Sequence, residues 1–164
     1  MVSITVSKAA QADLVSIRQY IREELAKAKG ADVRHALIMI DLDNLKSVND
    51  ILGHKEGDNQ LILFAEKLKG AFRESDYVGR IGGDEFLVLM RNIKDTQSIR
   101  QKAEQLVREL RWSVGDDASI HLSASIGAVC YPEDGRTLEE LYENADKAMY
   151  RVKRNGKNGY SFGI

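Results

Sequence analysis

The chain predicts an α/β domain of the α+β type, a central, mainly antiparallel sheet covered by helices. Three observations carry this expectation. Segments with apolar residues at helical spacing are interleaved with short apolar runs. Two of those runs, Tyr77 to Ile81 and Phe86 to Met90, flank Gly82-Gly83 as the arms of a hairpin. Ile120, Leu122, Ala124, Ile126, Ala128 and Cys130 alternate with polar or small residues, the pattern of a strand packed on one face.

Taken in order, Leu14, Ile17, Ile21 and Leu25 recur at helical spacing up to Lys29-Gly30, so an amphipathic helix ends at that glycine. Ala36-Leu37-Ile38-Met39-Ile40 reads as a buried strand, followed by a polar helical connection over 43–52. A longer helix is expected to start near Gly57-Asp58 and to turn Leu61, Phe64, Ala65, Leu68 and Phe72 inward. The hairpin comes next. Its turn is expected to be of the primed type, because glycine adopts positive φ without steric cost. Ile99, Ala103, Leu106, Val107 and Leu110 mark a further helix before the alternating strand. Thr137 and Glu140 form a capping box that opens a helix closing near Gly156, and a last short strand is expected through Tyr160-Ser161-Phe162.

At 164 residues the chain is long enough for one self-sufficient core, and neither a linker nor a repeat divides it. We read residues 1–164 as one domain, with 1–30 an N-terminal helical segment and 33–164 the core. With 24 basic against 25 acidic residues, the formal charge of -1 offers no broad attraction for nucleic acid, so an anionic ligand must be held locally. Cys130 is the single cysteine, which excludes an intrachain disulfide and a thiolate cluster and fits a reducing compartment. No apolar stretch approaches the roughly 20 residues of a membrane span, and the N-terminus has no signal-like core, so the expected location is the cytoplasm.

Gly82-Gly83 is followed at once by Asp84 and Glu85, which begin the return strand. Successive strand residues face opposite ways, so the two acids are expected to do different work. Ile40-Asp41-Leu42-Asp43 ends a buried strand in a second acidic pair. We expect Asp41 and Asp84 to meet at adjacent strand ends. Carboxylates held that close repel each other unless a cation lies between them, and an all-oxygen set selects Mg²⁺ or Mn²⁺ over zinc. A calcium-binding loop starting at Asp41 fails, since Leu45 and Lys46 stand where it needs an acid or amide and a glycine. Blander roles compete: a strand-end aspartate often serves a turn, Asp58 is placed to cap a helix, and Lys153 and Lys157 complement a helix C-terminus.

Asp41-Leu42-Asp43-Asn44-Leu45-Lys46-Ser47-Val48-Asn49-Asp50, then Gly53-His54, Gly57-Asp58 and Gly82 to Phe86, resembles the GGDEF domain of diguanylate cyclases in order and spacing, over about residues 36–158. The resemblance implies a fold like the palm of adenylyl cyclases and polymerases. It also implies condensation of two GTP into cyclic di-GMP and two pyrophosphates, with two Mg²⁺ or Mn²⁺ per active site. Carried over by position, Asp41, the Leu42 carbonyl and Asp84 resemble metal ligands. Glu85 resembles the second essential acid, assisting the metal or taking the proton of the attacking hydroxyl. Asn49 and Asp58 resemble guanine readers. Lys46, Lys153 and Lys157 fall where the family holds phosphates, His54 completes a Gly-His motif, and the backbone amides of 42–45, including those of Asn44 and Leu45, are expected to form an anion-binding nest. Arg73 and Asp76 match the family's RxxD inhibitory site for the cyclic product.

One domain of this family holds one GTP, so turnover implies a homodimer. The chain departs from the pattern at Lys157, where arginine is usual, at Leu45, where phenylalanine is frequent, and upstream, where Ile4 to Ala10 lack the family's glycine, asparagine and arginine. Three functions are therefore weighed: an active diguanylate cyclase, a non-catalytic module that binds GTP or cyclic di-GMP, and a palm-type nucleotidyl transferase acting on another nucleoside triphosphate, which would show no preference for GTP over ATP.

Overall fold

The computed structural model describes residues 14–163, and the divergent stretch from Ile4 to Ala10 lies outside them. The order is α1 (Leu14–Ala28), β1 (His35–Asp43), α2 (Leu45–Leu52), α3 (His54–Gly70), β2 (Tyr77–Arg80), β3 (Glu85–Met90), α4 (Thr96–Glu109), β4 (Trp112–Val114), β5 (Ile120–Tyr131), α5 (Leu138–Arg154) and β6 (Gly159–Phe162). The sheet runs β2-β3-β1-β5-β4, and β6 lies parallel to β5 while the other pairs are antiparallel.

Both faces of β1 are buried, so its side chains divide between two cores. Ala36, Ile38, Ile40 and Leu42 join Phe64, Leu68 and Leu106 from α3 and α4, with the Phe64 and Phe86 rings 5.4 Å apart. Leu37 and Met39 face Ile17, Ile21, Leu141 and Met149 from α1 and α5. Fully burying side chains of this size contributes about 1.5–3 kcal/mol each. The period of two therefore sets Asp41 and Asp43 on the α1/α5 face, where the apolar row gives way to acids.

α5 lies close on β5. A Cβ on Gly127 would stand 2.2 Å from the Ala145 carbonyl oxygen and 2.4 Å from the Met149 amide nitrogen, so only glycine allows this approach. Arg151 of α5 then fixes β6 by donating to the Ser161 hydroxyl and to the carbonyls of Phe162 and Gly163.

Three expectations need correction, and two features have no counterpart in the sequence reading. β5 is covered on both faces, because the small residues between its apolar ones pack beneath α5. The three-residue β4, too short to carry a period, was not foreseen. The parallel pairing of β6 was not foreseen either. α3 begins at His54, so Asp58 stands inside the helix and does not cap it. Gly82 and Gly83 are absent from the positive-φ residues, so the turn is not primed; it is a wider loop closed by the Ile81 amide donating to the Glu85 carbonyl at 2.9 Å.

Candidate active site

The end of β1 and the start of β3 bring acids together. In the β1–β3 register Asp41 stands opposite Glu85, so those two side chains share a face. The expected Asp41–Asp84 pairing is thus corrected by one residue: β3 starts at Glu85, and Asp84 meets β1 through its carbonyl, which accepts from Leu42 N–H at 2.9 Å. That bond also removes the Leu42 amide from the anticipated anion nest.

Asp41 is buried. Its Oδ2 is ion-paired with Lys153 Nζ, and its Oδ1 is buried without a hydrogen-bond partner. A buried carboxylate oxygen left unpartnered is costly, and a cation relieves it. Burial and the Lys157 ammonium push the Lys153 amine below its ordinary value. Asp43 has another environment, accepting from Ser123 Oγ and Ser125 Oγ at 2.7 Å each.

The loop carrying Asp84 is braced by Arg80, whose Nε donates to the carbonyls of Gly82 and Gly83 at 2.9 and 3.0 Å. Burial pushes the Asp84 carboxyl above its ordinary value, repulsion from Asp43 adds to the rise and Arg80 opposes it. Burial also raises Glu85, as do Asp84 and Asp146 of α5. Among the described residues no group of three or more His, Cys, Asp or Glu side chains forms a metal-binding cluster. The donors that fit a hard cation are fewer: the orphaned Asp41 oxygen and the crowded carboxylates of Asp84 and Glu85, with backbone carbonyl beside them.

Next to these acids a cleft of about 460 Å³ opens between α2, α3 and the β2–β3 loop. Asn49, His54, Asp58, Lys46, Arg80 and Asp84 are among its lining residues, so side chains singled out from three separate motifs share one concavity. Leu45 lines it as well. Asn49 lies directly over Gly57, where a Cβ would be 1.7 Å from Asn49 Oδ1. Lys46 is ion-paired with Asp50 at 2.9 Å on the exposed side of α2. Asn44 adopts a left-handed backbone, φ 71°, at the entry to α2, and its Oδ1 accepts from Lys157 Nζ at 3.3 Å.

Arg73 and Asp76 sit at the opposite, open end of the β2–β3 hairpin. Asp76 is buried and accepts from the Arg73 guanidinium at 2.9 Å and from the backbone amides of Arg73 and Arg91 at 3.0 Å each. The guanidinium side of the pair faces outward, with the Arg73 side chain 56% exposed.

Arg80, Asp146 and the partners of Asp43 were not singled out from the sequence. For Arg80 a signal existed in its position two residues before the glycine pair. Asp146 had none, since an exposed helical acid is ordinary.

Residues 15–159 match the family described as Diguanylate cyclase, GGDEF domain. The chain belongs to that family. The match begins inside α1, earlier than the motifs alone carried the resemblance. The chain is 39% identical over 87% of its length to the bifunctional diguanylate cyclase/cyclic di-GMP phosphodiesterase MucR of Pseudomonas aeruginosa, and covers 21% of that protein. It is 35% identical over 77% of its length to the cyclic di-GMP phosphodiesterase NbdA of the same organism, covering 16% of it. These curated relatives are several times longer than the chain. Among solved structures, the GGDEF domain of TpbB (YfiN) from Pseudomonas aeruginosa superposes with a TM-score of 0.85 at 31% identity, covering 93% of this chain and 96% of that one. The fold is that of a GGDEF domain. Among the described residues no helix is long and apolar enough to cross a membrane.

Proposed function

We propose that this domain is one half-site of a diguanylate cyclase. The observation that carries the reading is the single cleft joining Asn49 and Asp58 to Asp84, beside the facing Asp41 and Glu85. An amide and a carboxylate suit the edge of guanine, with Asn49 meeting O6 and Asp58 accepting from N1–H and N2–H. Lys46 and Lys153 flank the acids and hold the triphosphate, and Lys157 reaches it from the α5–β6 turn. Asp41, the Leu42 carbonyl, Asp84 and Glu85 would hold the divalent cation, which when bound would supply charge neutralisation and lower the pKa of the ribose hydroxyl.

The reaction forms a bond from a ribose 3′-oxygen of one GTP to the α-phosphorus of another, and breaks the bond to pyrophosphate. Glu85, which faces Asp41 across the β1–β3 ladder, takes the hydroxyl proton. Repeating the transfer in the other direction yields cyclic di-GMP and a second pyrophosphate. Each domain presents one GTP, so two copies face each other across a two-fold axis. Incubation with GTP and Mg²⁺ or Mn²⁺ followed by chromatography tests this. Cyclic di-GMP is the expected product, and its absence from a dimeric sample overturns the proposal.

The Lys153–Asp41 ion pair favours a second reading, a non-catalytic module that binds GTP or cyclic di-GMP, because the same carboxylate cannot grip a lysine and a cation equally. GTP binding that persists in Asp84→Ala without any turnover in the wild type supports this module.

A further inference from the structure

Asp43 follows Asp41 on the same face of β1 and is buried, yet it does not line the cleft. Its Oδ1 accepts from the Ser125 hydroxyl at 2.7 Å. Its Oδ2 accepts from the Ser123 hydroxyl at 2.7 Å and from the Asn158 backbone N–H at 3.1 Å. One carboxylate thus ties β1 to β5 and to the turn between α5 and β6.

That turn is unusual. Gly156, Lys157 and Asn158 all have positive φ, at 102°, 65° and 50°. Side chains other than glycine pay for this conformation, so it persists only where the surroundings over-determine it. Three bonds do so. Lys157 N–H donates to the Val152 carbonyl at 3.0 Å, Asn158 N–H donates to Asp43, and Lys157 Nζ reaches Asn44 Oδ1 at 3.3 Å. Asn44 is itself held by donating to the His121 carbonyl at 2.7 Å. Of these anchors, the Asp43 carboxylate alone is a buried charge.

The geometry points to Asp43 as a positioning residue that clamps the Asn158 amide, fixes the left-handed turn, and thereby sets where the Lys157 ammonium meets the triphosphate. This rests on the reading of the cleft as a GTP site. Asp43 lies outside the lining of the cleft. Its two oxygens serve three donors, of which the serine hydroxyls can rotate and the backbone N–H cannot. Asparagine can keep its oxygen on Asn158 and Ser123 and donate its amide to a rotated Ser125 hydroxyl. Alanine offers nothing to any of them.

The probe is 3′-deoxy-GTP with Mg²⁺, which lacks the attacking hydroxyl and so binds without turnover. Its affinity is measured by calorimetry for the wild type, Asp43→Ala, Asp43→Asn, Lys157→Ala and the double variant Asp43→Ala/Lys157→Ala. Asp43→Ala is expected to bind about tenfold more weakly, matching Lys157→Ala, and the double variant no more weakly than either, because both changes remove one contact. Asp43→Asn is expected to stay within about threefold of wild type. A merely structural role would lower the melting temperature and leave the double variant's losses multiplying. Asp43→Ala binding as the wild type does, or losses that multiply, overturn the proposal. Should Asp43→Ala not fold, hydrogen exchange on the wild type decides: a protected Asn158 amide supports the clamp, and exchange at open-turn rate overturns it. A wild type that does not bind the probe defeats the GTP reading itself, whereas wild-type binding with an indifferent Asp43→Ala sinks only the role of Asp43.

Discussion

Replacing Gly57 with alanine separates the proposed nucleotide site from the stability of the fold. Gly57 lies inside α3, where alanine is the better helix former by up to about 1 kcal/mol. Its missing Cβ is the floor on which the Asn49 amide rests. A Cβ there would stand 1.7 Å from Asn49 Oδ1, where contacts under 3.0 Å essentially never occur, so the amide oxygen must retreat by about 1.3 Å. A hydrogen bond to guanine does not survive a displacement of that size. Losing it, with a buried base edge left unpaired, costs about 1–3 kcal/mol, or roughly a five- to 150-fold weaker affinity. Calorimetric titration with 3′-deoxy-GTP and with its adenine counterpart reads this directly. Gly57→Ala should bind the guanine nucleotide more weakly, discriminate less between the two, and melt at or above the wild-type temperature. Unchanged guanine affinity in a folded Gly57→Ala protein would refute the placement of Asn49 as a base reader.

Other perturbations reach the core, the acids and the Arg73–Asp76 pair. Gly127→Ala drives a methyl group into the backbone of α5, and overpacking of this kind should cost about 1–3 kcal/mol or more, lowering Tm by several degrees in a thermal melt; an unchanged Tm would contradict the close approach. Asp84 and Glu85 both have raised folded-state pKa values, so without metal they bind protons more readily folded than unfolded, and their contribution to stability falls as pH rises from the ordinary carboxyl range toward those raised values. Mg²⁺ should therefore raise Tm at neutral pH and lose that effect near pH ~4, where the carboxyls are protonated; an equal Mg²⁺ shift at both would place the cation elsewhere. Arg73→Ala should weaken cyclic di-GMP binding by about tenfold, through loss of charge-assisted contacts from its exposed guanidinium, and equal binding by both proteins would remove the inhibitory site.

Much of this architecture was legible in the sequence because periodicity reports burial. The apolar spacing of α1, α4 and α5 and the run in β1 each translate directly into a helix stripe or a two-faced strand, and Thr137 did cap α5 by accepting from the Glu140 amide. What the sequence hid was set by tertiary context. Glycine tolerates positive φ but does not require it, so Gly82-Gly83 could not reveal a loop whose shape depends on Arg80 reaching both carbonyls. A one-residue change of register moves a side chain to the other face, and only the pairing of β1 with β3 could decide that Glu85, not Asp84, stands opposite Asp41. Gly53 breaks the chain sharply enough, φ 93°, for α3 to restart at His54, which carried Asp58 from a capping position to the second turn. The role of Asp43 depends on residues 80 or more positions away, beyond the reach of any local pattern.

In the proposed cyclase, oxygens from the end of β1 and the start of β3 grip a divalent cation beside bound nucleotide. Mn²⁺ titrated into protein carrying 3′-deoxy-GTP, followed by electron paramagnetic resonance, measures this without turnover. Wild type should take up Mn²⁺ in a nucleotide-dependent manner, and Asp41→Ala and Asp84→Ala should each weaken that uptake by tenfold or more, on the order of the loss expected for one carboxylate ligand. Mn²⁺ uptake identical in all three proteins would contradict a cation site at these carboxylates.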